Sequence, residues 1–111
     1  MEEDRSKFYV GNVLYTIVEL GDSEYVFHND HDGFSRAGAY DPFTATIYLH
    51  KEQTKAQKRK TLIHEVSHAF IFEYGWYNAE DVFNEEQFCN FIACHAEEIL
   101  RIVDWYMRDV G

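Results

Sequence analysis

Thr61-Leu62-Ile63-His64-Glu65-Val66-Ser67-His68-Ala69-Phe70 is the stretch on which the reading of this chain turns. It contains His-Glu-x-x-His, a spacing that has chemical meaning only on a helix. At about 100° per residue, positions i and i+4 stand about 40° apart on one face, one turn from each other. His64 and His68 can then offer two imidazole nitrogens to one tetrahedral Zn²⁺, with Glu65 flanking the ion rather than ligating it. Zinc lowers the pKa of a coordinated water toward about 7, within reach of a neighbouring carboxylate acting as base. The surroundings suit a half-buried site: Lys58-Arg59-Lys60 precede the motif, and Leu62, Ile63, Val66, Ala69 and Phe70 form an apolar face beside the histidines. With six His and twelve Glu in 111 residues, an accidental match is about a 3% event. The competing reading is two hydrogen-bonded helix histidines with no metal.

Working outward, Thr54 with Gln57 fits a capping box, so the spacing predicts a helix from Lys55 to about Tyr74, capped by Gly75. Upstream, Phe8-Tyr9-Val10 and Val13 to Val18 flank Gly11-Asn12, a hairpin signal. Gly21-Asp22 marks a turn, and Glu24 to Phe27 reads as a short strand or the start of a loop. Asn29-Asp30-His31-Asp32-Gly33 lacks the spacing and closing Glu of a calcium loop and reads as plain loop. Phe34 to Tyr40 and Thr44 to His50 flank Asp41-Pro42-Phe43, the second arm being rich in strand-forming residues. If that arm lies at the sheet edge, its free backbone groups could pair with an extended peptide.

Downstream, Trp76 to Phe83 is a connector, and Asn84 with Gln87 opens a helix from Glu85 to about Arg108. Its apolar stripe reads Phe88, Ile92, His95, Ile99, Ile102, Tyr106. A second row, Glu86, Cys89, Ala93, Ala96, Leu100, Val103, begins with small residues that would let another helix approach closely.

The length fits one domain, residues 1–111, with enough apolar and aromatic content for its own core. A formal charge of −10 argues against a nucleic-acid backbone or an anionic membrane surface as partner. The N-terminus carries no basic segment followed by an apolar run, and no run is long enough to span a membrane, so neither a secretory signal nor an anchor is expected. Cys89 and Cys94, five apart on one helix, point away from each other beyond disulfide reach, which implies a reduced, cytoplasmic setting.

A zinc hydrolase needs three protein ligands and an open position. Glu86, leading the small-residue row, could point across a helix contact at His64 and His68; Glu85 is the alternative. Both acidic residues would also favour a helix N-terminus on electrostatic grounds alone. Here the chain resembles a known family. Thr-Leu-Ile-His-Glu-Val-Ser-His-Ala, followed by Glu-x-x-Cys-Asn-x-Ile-Ala from Glu86 to Ala93, is similar to the ImmA/IrrE-type zinc metallopeptidases, above all their small phage-borne relatives.

The resemblance implies His64, His68 and Glu86 as zinc ligands and Glu65 as general base. Thr44 to Leu49 resembles the family's edge strand. The likeness covers residues 37 to about 100, while the Leu-Met-Pro ending of larger members is absent. His95, about 13 Å along the helix from Glu86, cannot share an ion with it and reads as a hydrogen-bonded core residue or a partner orienting a ligand. Tyr74 and Tyr77 are candidates for stabilising an oxyanion; His28, His31 and His50 read as surface residues.

The expected fold is α+β, a small, mainly antiparallel sheet packed on the zinc helix and a C-terminal helix in a minimal zincin-like arrangement. The expected function is Zn²⁺-dependent hydrolysis of a peptide bond in a protein or peptide substrate. The alternative is a zinc-stabilised protein that captures a host factor without cutting it. The hydrolase expectation depends on Glu85 or Glu86 reaching the two histidines.

Overall fold

The computed structural model describes residues 4–21, 37–76 and 84–108. Within them the order is β1 (Lys7–Val10), β2 (Val13–Leu20), β3 (Gly38–Asp41), β4 (Thr46–His50), α1 (Lys55–Glu73) and α2 (Glu85–Met107). Glu24 to Phe27, the Asn29 to Gly33 turn cluster and Tyr77 to Phe83 lie outside the described residues.

The four strands form one mixed sheet in the order β1-β2-β4-β3. β1 and β2 are the hairpin expected around Gly11-Asn12, with Gly11 at φ 62° in the left-handed region the turn requires. β3 and β4 also pair antiparallel. The central pairing, β2 with β4, is parallel, which corrects the expectation of a mainly antiparallel sheet to a mixed one. The physical reason is the long connection between Leu20 and Gly38. A parallel neighbour needs a crossover of about a dozen residues or more, and this connection is long enough to carry the chain to the far side of the sheet.

That topology corrects a second expectation. The strand beginning near Thr44 is not an edge: β4 is bonded on both sides, by β2 and by β3. Among the described residues the edge beside α1 is β3.

Register puts Phe8 opposite Tyr15, Ile17 opposite Ile47, and Tyr40 opposite that same Ile47, so these residues share one face. Phe8, Val10, Tyr15, Ile17, Ile47 and Leu49 of this face are buried with Leu62, Val66, Ala69 and Phe70 of α1 and Phe91, Ile99, Val103 and Met107 of α2. Glu19 lies in the same row. It is held there by Lys58 Nζ, which donates to Oε1 at 2.8 Å, and by the Tyr106 hydroxyl, which donates to Oε2. One carboxylate thus ties the sheet to both helices. Burial, helped by that bond, pushes the Tyr106 phenol above its usual range.

Both helix starts follow their capping signals. Thr54 Oγ1 accepts from Gln57 N at 3.2 Å, and Asn84 and Gln87 form a reciprocal capping box. α1 stops at Tyr74, whose N–H reaches back to Phe70 O, and Gly75 follows at φ 67°.

The apolar stripe on α2 is shifted at its start. Phe88 and Ile92 are exposed, and the core face runs Phe91, His95, Ile99, Val103, Met107 in steps of four. No described helix in the structure is long and apolar enough to cross a membrane.

Candidate metal centre

On α1, Thr61, His64, Glu65 and His68 recur at three and four residues and share a face. β3 lies directly against it. At Gly38 an added Cβ would stand 2.7 Å from Thr61 Cγ2, 3.0 Å from Tyr48 O and 3.2 Å from Glu65 Cγ. Only a residue without a side chain lets the strand come this close. The approach covers Glu65, which is 7% exposed, whereas His64 and His68 remain open to solvent.

The two imidazoles face each other, His64 Nε2 and His68 Nε2 standing 3.2 Å apart, their rings near-perpendicular at 79°. Two nitrogens bound tetrahedrally at about 2.0–2.1 Å from one zinc would be about 3.3 Å apart, so the pair fits two positions of a Zn²⁺ site; the same separation is that of an N–H···N hydrogen bond between the two rings in the absence of an ion. A carboxylate oxygen of Glu65 joins them, the three ligand atoms lying within 4.8 Å of one another. Among the described residues this is the one group of three or more His, Cys, Asp or Glu close enough to hold an ion.

Glu86 and Glu85 are not part of that group. Both are exposed in the first turn of α2. The helix pairing gives the reason. α1 and α2 run antiparallel, with Arg59 bonded to Asp104 at one end and Phe70 against His95 at the other. The level of His64 and His68 therefore faces α2 at about residues 95–104, and Glu86 lies about 13 Å or more further toward the helix start.

The group opens into a cleft of about 690 Å³, lined by Ala37, Gly38 and Tyr40 from β3 and its approach and by α1 residues from Gln57 to His68. Tyr40 stacks on His68, ring centres 5.7 Å apart and planes within 10°. Among the described residues, Lys60 is the one full cation in the lining.

No protein-family model matches this chain, and neither a curated protein nor a solved structure matches it.

Tyr74 does not line the cleft; its ring packs on His95 and Phe70 at the far end of α1. Tyr77, His28 and His31 lie outside the described residues. His50 is half-buried, and its Nδ1 accepts from the Glu52 amide at 3.1 Å. His95 sits among Phe70, Tyr74, Trp76 and Phe91, and its Nε2 accepts from Trp76 Nε1 at 2.8 Å. Burial holds its pKa below the ordinary histidine value, with Glu98 opposing.

Gly38 and Tyr40 are the site residues that reading the sequence missed. Their signal was present as a two-residue alternation, Gly38 and Tyr40 falling on the face shared with Ile47 and Leu49. It becomes visible only once β3 is paired.

Proposed function

We propose that this protein is a zinc-dependent hydrolase of peptide bonds, with His64 and His68 as metal ligands and Glu65 as general base. The observation that carries the reading is the 3.2 Å separation of the two Nε2 atoms with a buried carboxylate beside them. Zn²⁺ bound there supplies Lewis-acid polarisation of a carbonyl and a lowered pKa for water. Glu65, covered by β3, would take a proton from water at a carboxylate oxygen and return it to the leaving amine. Among the described residues β3 is the sheet edge that borders the same cleft, and an extended peptide could bond to its backbone and lie across the histidines. The resemblance to ImmA/IrrE-type metallopeptidases, with its minimal zincin-like arrangement and cytoplasmic setting, belongs to this proposal; Glu86 serves as third ligand only if the start of α2 moves to the histidines as the ion binds, because the helices as paired hold it away from them.

A second reading is favoured by one specific observation: the carboxylate nearest the imidazoles is Glu65, while Glu86 stands outside the group. Under it, Glu65 is itself the third ligand and the protein holds zinc without hydrolysing anything, acting as a binding module. Glu65→Gln separates the two. As base, its loss leaves zinc bound near one equivalent and abolishes cleavage of a peptide library. As ligand, its loss lowers zinc affinity by an order of magnitude or more. Glu86→Ala, measured for zinc affinity alongside, decides whether that residue joins the histidines when the ion enters. Wild-type protein that takes up no zinc would refute both readings.

A further inference from the structure

His68 is exposed at the cleft, where an imidazole would turn freely unless something held it. A histidine ligand binds well only when its ring is already aimed along the metal bond, and groups behind the ligands commonly provide that aim. Tyr40 is placed to do so. Its ring lies parallel to that of His68, and it also stacks on Tyr15, ring centres 6.1 Å apart and planes within 17°.

Tyr40 is itself held. Its hydroxyl is 3.1 Å from that of Tyr15, and Tyr15 donates to Glu73 Oε2 at 2.6 Å. A phenol has one hydrogen to give. Tyr15 gives its hydrogen to Glu73, so the hydrogen in the contact between the two phenols comes from Tyr40. Tyr15 is wholly buried, and burial together with the Glu73 bond pushes its pKa well above the usual phenol range, which keeps that proton in place. The donors therefore run from Tyr40 to Tyr15 to Glu73. Glu73 lies on the same helix as His68, so the chain of contacts braces two strands against the helix that carries the ligand. What Tyr40 presents to the imidazole is the face of its ring.

We propose that Tyr40 is the positioning residue of the metal centre. Its ring, tethered through Tyr15 to Glu73, fixes the imidazole plane of His68 so that Nε2 meets that of His64 at a chelating separation. This inference rests on the zinc reading of the site and goes beyond it.

The test titrates Zn²⁺ and Co²⁺ into the wild type, Tyr40→Leu and Tyr40→Phe. Affinity comes from competition with a chromophoric chelator, geometry from the Co²⁺ d–d bands, and ring placement from the NMR shifts of the His68 ring protons without metal. Tyr40→Leu should bind about 10–100-fold more weakly, with altered Co²⁺ bands and loss of the ring-current shift at His68. Tyr40→Phe keeps the stacked ring without its tether and should fall between the leucine variant and the wild type. A folded Tyr40→Leu with affinity within about threefold of wild type and unchanged Co²⁺ bands overturns the inference and leaves the zinc reading standing. Wild type that binds neither ion removes both. Should Tyr40→Leu fail to fold by circular dichroism, Tyr40→Phe is judged by the same two criteria.

Discussion

Gly38 has no room for a side chain where it meets the helix. The 2.7 Å approach to Thr61 Cγ2 is shorter than real contacts tolerate, so Gly38→Ala must push β3 off the helix or turn Thr61. Overpacking of this kind costs about 1–3 kcal/mol. Thr61→Ser removes the offending methyl while keeping the hydroxyl that donates to Gln53 Oε1 at 3.0 Å. Thermal melting should therefore show Gly38→Ala destabilised and the Gly38→Ala, Thr61→Ser double variant partly restored. Equal melting of Gly38→Ala and the wild type would mean that β3 does not sit against Glu65.

At this scale the sequence was legible where the chemistry is local. His64, Glu65 and His68 meet because they lie within one turn of one helix. Glu86 could not be placed in the same way. Its distance from the histidines depends on how far two helices slide past each other, which the packing of the shared core sets and the pairing of Arg59 with Asp104 reports.

Among the elements, α2 begins on a reciprocal cap, with Asn84 Oδ1 accepting from Gln87 N at 2.8 Å and Gln87 Oε1 from Asn84 N at 3.2 Å. Asn84→Ala removes the first of these and should cost about 1 kcal/mol, read as a lower melting temperature. Glu85 and Glu86 sit in the first turn beyond it, where negative charge suits the helix dipole. An unchanged melt for Asn84→Ala would show that the cap contributes nothing to α2.

Caps, the Gly11-Asn12 turn and the end of α1 at Gly75 were readable because each depends on neighbours within about four residues. The parallel partnership of β2 and β4 was not, since its register joins Thr16 to Thr46, far beyond the reach of local pattern. Phe88 was misjudged for a related reason. The α2 pattern admits two starting points, and only the contact of Phe91 with Trp76 and His95 chooses between them.

For the molecule as a whole, the aromatic box around His95 joins the end of α1 to the middle of α2. Trp76 Nε1 can donate to His95 Nε2 only while that nitrogen carries no proton. The folded protein thus holds this histidine below its unfolded pKa of about 6.5. In the window beneath 6.5 the unfolded chain binds more protons at this position. Its contribution to stability is complete above that value and is lost progressively as pH falls from there through the lowered folded value. His95→Gln keeps an acceptor for Trp76 without a titrating group. Its melting temperature should therefore decline less steeply than the wild type's between pH 7 and 5.5. Parallel slopes would assign the acid sensitivity elsewhere.

Among the described residues, the cleft draws its lining from residues 37–68, a single hairpin and the helix that follows it. Such a contiguous cassette can be inherited, duplicated or grafted in one piece. Tyr15 is the stitch that would have to travel with it, because it reaches Tyr40 and Glu73 from the opposite half of the sheet.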